Sequence, residues 1–214
     1  MSNQLASDAD TPRRQARRTA ILEQALRLFS ERGLGSAGMK EIADALGLTH
    51  AALYYYFPSR EALVVASVSH AMQGLIDALN RAQADSTPDP ALRLAELVRA
   101  QVRFELGAVG AAPFVNAFLY GPLAHGSALA PEEREAMRDL QRQVVDAYRG
   151  TVLAGARAGV FHAPNPTIAA FNVMGMVSYT VSWFRPEGAL GVAEIADQVA
   201  LQAVRSVSHY ANPA

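Results

Sequence analysis

The sequence predicts an all-α protein, and three observations carry that prediction. Apolar residues recur at spacings of three and four along nearly the whole chain. No stretch alternates apolar and polar residues over a useful strand length, and no segment repeats at a period of about 20–50 residues. Glycines, prolines and capping residues fall between the periodic segments, where helices must stop and restart. Half of the 214 residues are apolar and 18% are charged, which supplies enough material for a packed core. About nine helices are expected, three in a small N-terminal part and the rest in a larger body.

The first helix is expected from about Arg13 to Arg32. Ile21, Ala25, Leu28 and Phe29 form its stripe, Leu22 and Leu26 widen it, and Gly33 suits a left-handed end. Met39, Ile42, Ala43 and Leu46 follow at i, i+3, i+4 and i+7, and Gly47 closes that helix. Thr49–Phe57 makes a third short one. Pro58 breaks the run, and Ser59 is placed to cap a helix from Arg60 to about Ala84. Asp89 and Pro90 suit the N-cap and first position of a helix to about Leu106. Gly107–Pro113 leads into an aromatic helix holding Phe114, Phe118 and Tyr120, and Gly121–Ser127 is a loop. Pro131, Glu132 and Glu133 open a helix to about Gly159 with carboxylates that suit its dipole. Asn165 and Pro166 start one to Phe184, and the last covers about Val192–Tyr210. Residues 1–11 are expected to be a disordered tail, 12–60 a first domain and 61–214 a second.

Met1 to Arg18 holds no apolar signal-peptide core, and the chain has no cysteine, which fits a reducing compartment. Thr167–Phe184 approaches membrane-spanning length, but Asn172, Ser178, Thr180 and Ser182 interrupt it, so a buried helix at a protein interface is expected. A cytoplasmic protein with no membrane partner follows as the expectation.

Charge is unevenly spread. Residues 12–60 hold eight basic side chains (Arg13, Arg14, Arg17, Arg18, Arg27, Arg32, Lys40, Arg60) against four acidic ones (Glu23, Glu31, Glu41, Asp44), although the whole chain carries −1. A basic head that meets an anion and an acidic body that does not is the implied arrangement. Within that head, Met39 to Phe57 has the makings of a helix-turn-helix. Ala43 is small enough for two helices to cross closely, Gly47 supplies a positive φ, and Ile42, Leu46, Leu48, Leu53 and Tyr56 pack the pair. Thr49, His50, Ala51, Tyr54 and Tyr55 are left outward, small or hydrogen-bonding tips suited to a DNA major groove.

Ile21-Leu-x-x-Ala-x-x-Leu-Phe-x-x-x-Gly33, Met39-Lys-Glu-Ile-Ala-Asp-Ala-Leu-Gly-Leu-Thr-x-Ala-Ala-Leu-Tyr-Tyr-Tyr-Phe57 and the following x-x-Arg-x-x-Leu63 resemble the DNA-binding domain of the TetR/AcrR family of bacterial repressors. The likeness covers about a quarter of the chain. Ala37 and Gly38 stand where the family usually has threonine or serine, Tyr56 replaces a usual histidine, and Arg60 a usual lysine. The resemblance implies that Thr49 caps the recognition helix and touches phosphate. Lys40 and His50, with Tyr55, would face base edges, beside Ala51. Tyr54, Tyr56 and Arg60 would anchor phosphates, and Arg13, Arg14, Arg17 and Arg18 would reach phosphate or minor groove as a flexible arm.

The resemblance further implies a helical body that dimerises and takes an effector. The expected function is a transcriptional regulator, a repressor released from a palindromic operator by a small, largely apolar or acyl-type effector. The alternative is a ligand-independent DNA-binding protein or an activator with the same head. Ile168, Phe171, Gly175, Ser178 and Ser182 on one helix, with Ile195, Val199 and Ala203 on the next, suit a homodimer interface about a two-fold axis. Phe114, Phe118, Tyr179 and Trp183 are candidates for an apolar effector cavity, with Arg103 or Asn116 at its polar end.

Nothing assembles into an enzyme. Gly33-Leu-Gly-Ser-Ala-Gly38 matches a dinucleotide fingerprint but follows a helix instead of a strand. The five histidines lack metal-ligand spacing, no G-x-S-x-G occurs, and no cofactor is expected.

Overall fold

Ile21, Leu22, Ala25, Leu26, Leu28 and Phe29 are all buried, so the stripe on the first helix forms the core that periodicity assigns to it. The computed structural model describes residues 2–32, 38–84, 88–107, 115–116 and 130–208, with residues 2–11 as backbone alone. Eight helices are present among the described residues, and no strand; the aromatic helix expected around Phe114–Tyr120 lies almost wholly outside them. They are α1 (Ser2–Arg32), α2 (Met39–Ala45), α3 (His50–Tyr56), α4 (Arg60–Ala84), α5 (Pro90–Gly107), α6 (Pro131–Arg157), α7 (Pro166–Trp183) and α8 (Val192–Val207).

α1 begins at Ser2, so residues 2–11 are helical here where a disordered tail is expected, and Pro12 lies inside the helix. The physical reason is propagation. Once the packed turns from Ile21 onward exist, each residue added at the N-terminus brings a hydrogen bond without a new nucleus. Pro12 inside the helix removes one bond of that ladder and its ring crowds the carbonyl four residues back, so the turns before it are held less firmly than those after it.

The caps sit where the sequence places them. Ser59 Oγ accepts from the Ala62 N–H at 3.0 Å, and Asp89 Oδ1 from the Ala91 N–H at 2.8 Å. Asn165 Oδ1 accepts from both the Thr167 and Ile168 N–H groups at 3.1 Å. Glu133 at the start of α6 reaches back to the Ala130 N–H at 3.0 Å. Each satisfies donors that a helix start leaves without an intrahelical partner.

α5 is the central beam of the body. Its Leu94, Leu97, Val98 and Val102 are fully buried, and it packs against α4, α6, α7 and α8. Arg99 tethers it to α8 through Asp197 at 2.6 Å and also holds Glu96 at 2.8 Å. α4 spans both parts of the molecule, packing on α1 in the head and on α5 and α6 in the body. It is long and apolar enough to cross a bilayer by composition. Leu63, Val64, Val68, Met72, Leu75, Ile76 and Leu79 instead face these neighbours. α6 ends in a turn with Gly159 at φ 69°, after which Phe161 folds back over Gly155. The Phe161 N–H donates to the Gly155 carbonyl at 3.1 Å and the His162 N–H to the Val207 carbonyl at 2.7 Å, clipping this turn to the end of α8.

A Cβ at Gly155 would overlap the Phe161 ring, whereas a Cβ at Gly150, exposed on the same helix, meets nothing within 4 Å. Gly155→Ala is therefore expected to destabilise by about 1–3 kcal/mol through forced repacking. Gly150→Ala should stabilise by up to about 1 kcal/mol through helix propensity. Urea unfolding of the two variants checks the opposite signs.

Candidate functional site

α2 and α3 form the expected helix-turn-helix. Ile42, Ala43 and Leu53 are fully buried between the two helices and α1, with Leu46, Leu48 and Tyr56 packed at the edge. Gly47 has φ 61°, a left-handed conformation that lets the chain reverse and that L side chains rarely adopt. The turn is closed by the Leu48 N–H donating to the Ala43 carbonyl at 2.8 Å. Thr49 Oγ1 accepts from the Ala52 N–H at 3.1 Å, so it caps α3. Glu41 reaches back to the Gly38 N–H at 3.2 Å and pairs with Arg32 at 3.2 Å, fastening the start of α2 to the end of α1.

The outward residues are Lys40 on α2 and Thr49, His50, Ala51, Tyr54 and Tyr55 on α3, all exposed. The exposure of the last, 67%, is large for an aromatic ring. The His50 and Tyr54 rings meet edge to face at 4.8 Å, one turn apart, and Tyr55 meets Tyr56 in the same way at 5.5 Å. Seven residues at 1.5 Å each make α3 a rod of about 10 Å, short enough to lie within a major groove about 12 Å wide.

The arginines of α1 take a different place from the flexible arm that the resemblance implies. They stand on a continuous helix beside the motif. Arg14 lies 5.2 Å from the Tyr55 ring centroid and Arg18 5.1 Å from that of Phe57. Arg17 Nη2 donates to the Leu46 carbonyl at 3.3 Å, at the C-terminal end of α2. Arg60 is half-buried with its guanidinium 5.6 Å from the Phe29 centroid, and Tyr56 is half-buried too. These cations steady the motif while adding positive potential beside it.

The body departs further from expectation. Phe114 and Phe118 lie outside the described residues. Tyr179 and Trp183 are not in a cavity: they are 69% and 45% exposed on the outer face of α7, in line with Ile168 (58%) and Phe171 (53%). Helix phase explains this, because steps of four from Phe171 through Gly175 and Tyr179 to Trp183 drift only about 40° each. Gly175 and Ser182 share that exposed face and Ser178 is at its edge, half-buried. On α8 the expectation fails. Ile195 and Ala203 are buried inside the chain and Val199 is half-buried, because the small apolar stripe of α8 packs on α5. Arg103 is exposed on α5. Asn116 is half-buried, and its Nδ2 is buried without a hydrogen-bond partner among the described residues.

A buried polar cluster in the body goes unmentioned by motif reasoning. Tyr148 Oη on α6 donates to Gln101 Oε1 at 2.7 Å, and Gln101 Nε2 donates to Glu105 Oε1 at 2.7 Å. Among the described residues, Glu105 Oε2 is buried with no hydrogen-bond partner. Burial pushes the Glu105 carboxyl up to about 7, opposed in part by the Gln101 hydrogen bond. The available signal was two polar residues, four apart, inside the apolar stripe that runs from Leu94 to Leu106.

Comparison with known proteins bears on both parts. Residues 21–66 match the family described as "Bacterial regulatory proteins, tetR family", and residues 87–207 match "Tetracyclin repressor-like, C-terminal domain". The chain is 28% identical over 193 residues to the HTH-type transcriptional repressor KstR2 of Rhodococcus jostii (strain RHA1), covering 88% of this chain and 90% of that protein. Among solved structures it is similar to the TetR family regulator PfmR of Thermus thermophilus (TM-score 0.74, 28% identity, 86% of this chain and 97% of that one). AibR, solved in complex with isovaleryl coenzyme A and operator DNA, is as similar (TM-score 0.74, 27% identity, 90% and 98%).

Glu105 carries a pH signature. Its carboxyl titrates higher in the folded chain than a free glutamate, so the folded state holds the extra proton between about 4.5 and about 7. This contribution to stability is complete below the unfolded value and disappears as pH rises through the folded one. Glu105→Gln, which cannot titrate, is expected to flatten the fall in Tm from pH 5 to pH 8, measured by thermal unfolding at fixed ionic strength.

Proposed function

Because the chain belongs to the TetR family of bacterial transcriptional regulators, we propose that it acts as a homodimeric repressor that reads a palindromic operator and releases it when a small, largely apolar effector binds the body. The single observation that carries the reading is the α3 face. Six outward side chains of the motif are exposed and mostly polar or aromatic, while every large apolar residue of that motif turns inward. Lys40 and His50 meet base edges, Thr49 and Tyr54 the phosphates, and Tyr55 the groove wall, with Ala51 leaving room for close approach. Arg14, Arg17 and Arg18 raise the local potential along α1 and speed encounter with the duplex. Tyr56 and Arg60 hold α3 and α4 in place, and their contact with phosphate is indirect.

Dimerisation uses the outer face of α7. Ile168, Phe171, Gly175, Tyr179, Ser182 and Trp183 form one stripe of apolar and small residues, the kind of surface a second copy covers. Two copies about a two-fold axis present two α3 helices to half-sites one or more helical turns apart. AibR, whose structure holds an acyl thioester together with operator DNA, supports the same division of labour. α4, which touches both parts, is the lever by which the effector changes the spacing of the two heads. A hundredfold loss of operator affinity requires a preference of about 2.7 kcal/mol for the released state.

Selection of bound sequences from a random duplex pool tests the DNA reading. The native protein is expected to enrich an inverted repeat, and His50→Ala to relax one position in each half-site at a cost of about 1–3 kcal/mol. An enriched set with no two-fold symmetry, or one unchanged by His50→Ala, would count against it. Sedimentation tests the interface. Phe171→Glu should yield a folded monomer with weak operator binding, whereas Leu92→Glu, equally exposed but at the start of α5, should remain dimeric.

A further inference from the structure

The Glu105 cluster is a buried polar group of the body that neither DNA binding nor dimerisation uses. Its hydrogen bonds all run in one direction. Tyr148 donates to Gln101 and Gln101 donates to Glu105, both at 2.7 Å, so the carboxyl is the terminal acceptor of the chain. Oε1 is satisfied. Oε2, buried as well, has no hydrogen-bond partner among the described residues. Buried polar atoms are nearly always paired, so an orphan at the end of an otherwise ordered chain marks a place where a donor is missing. The neighbouring turns of the same helix are apolar: Val98, Val102 and Leu106 are buried. Phe104 lies against α4 at Gly74, where a Cβ would stand 3.1 Å from the ring, so α5 and the lever helix touch one residue from the carboxyl.

We infer that Glu105, oriented by Gln101 and Tyr148, is the polar anchor of the effector site and selects an apolar molecule with a hydrogen-bond-donating head, an alcohol or an amine, over one that ends in a carboxylate. The inference rests on the reading of the body as an effector-binding domain. Above about pH 7, where the Glu105 carboxyl is ionised, a donor head completes Oε2, and a donor to an ionised carboxylate makes a stronger bond than one between neutral groups. A carboxylate head instead brings a second negative charge into an apolar site that has one acceptor and no cation in the cluster. The position fits a trigger: a ligand held by Glu105 presses on the turn of α5 whose Phe104 rests on α4.

The test uses the full chain without DNA at a pH of about 8, above the Glu105 titration, and four probes with the same tail: decan-1-ol, decylamine, decanoate and methyl decanoate. Calorimetric titration is expected to show the alcohol, the amine or both binding at least about tenfold more tightly than decanoate or the ester. An amine preference identifies a cationic head and an alcohol preference a neutral one. In Glu105→Leu the preference should shrink below about threefold. In Glu105→Gln, which keeps an acceptor oxygen and the shape, alcohol binding should persist and amine binding fall. Equal affinity for decanoate, no binding by either donor-headed probe, or the same preference in both variants would overturn the inference. Should Glu105→Leu fail to fold, the native probe series decides: donor heads that bind no more tightly than decanoate or the ester overturn the inference. Operator binding is measured separately on the same preparations. A chain that binds duplex but fails the probe series sinks this inference only, and one that passes the probes but ignores duplex sinks the regulator reading instead.

Discussion

A seven-residue helix does not hold itself together in water, and α3 is seven residues long. Everything that the head does depends on the packing that compensates for this. Leu53 drives into the space that Ala43 leaves open, Thr49 supplies the first donor with a partner, and Gly47 lets the chain arrive from the right direction. α1 provides the floor. Its buried stripe closes the core from below, while Arg14, Arg17 and Arg18 grip the motif from the side through Tyr55, the Leu46 carbonyl and Phe57. The exposed rings of α3 therefore stand on a rigid base, and little ordering remains to be done when they meet a duplex.

The body applies the same logic at larger scale. α5 is surrounded, and its neighbours each bury one face against it. That leaves α7 with an outer stripe whose composition differs from the rest of the surface, since Ile168, Phe171, Tyr179 and Trp183 follow one another along it. α8 turns Ile195, Ala196, Ala200, Ala203 and Val207 inward and leaves Leu201 exposed among Glu194, Asp197, Gln198 and Arg205. Four exposed large apolar side chains on one helix and one on the other is an asymmetric arrangement. On the proposed dimer reading, α7 carries the larger share of the two-fold contact.

Local features were legible and relational ones were not. Gly47, Thr49, Ser59, Asp89 and Asn165 act on residues two to four positions away, so their roles follow from the chain itself. The spacing of Met39, Ile42, Ala43 and Leu53 belongs to the same class, so the helix-turn-helix follows from the chain itself, whereas the helical placement of Arg14, Arg17 and Arg18 does not. Tyr179 and Trp183 were misplaced because aromatic character suggests a cavity, while only helix phase relative to Phe171 reveals the shared outer face. Ile195 and Ala203 were misplaced for the opposite reason. A stripe of small apolar residues packs equally well within a chain or between two, and the distinction depends on α5, about ninety residues earlier. The Gln101–Glu105–Tyr148 chain needs two helices side by side before it exists at all.

α4 belongs to two cores at once. Its first turns, with Leu63, Val64 and the Arg60 stack on Phe29, finish the hydrophobic interior of the head, and its later turns wall the body. The two halves are thus not modules that can be exchanged at the loop before residue 60. A chimera spliced there would join a donor head to an alien lid, with half of the interior chosen by the wrong parent. A graft intended to move operator choice from one scaffold to another must carry the junction past Val68, so that the donated head brings its own roof.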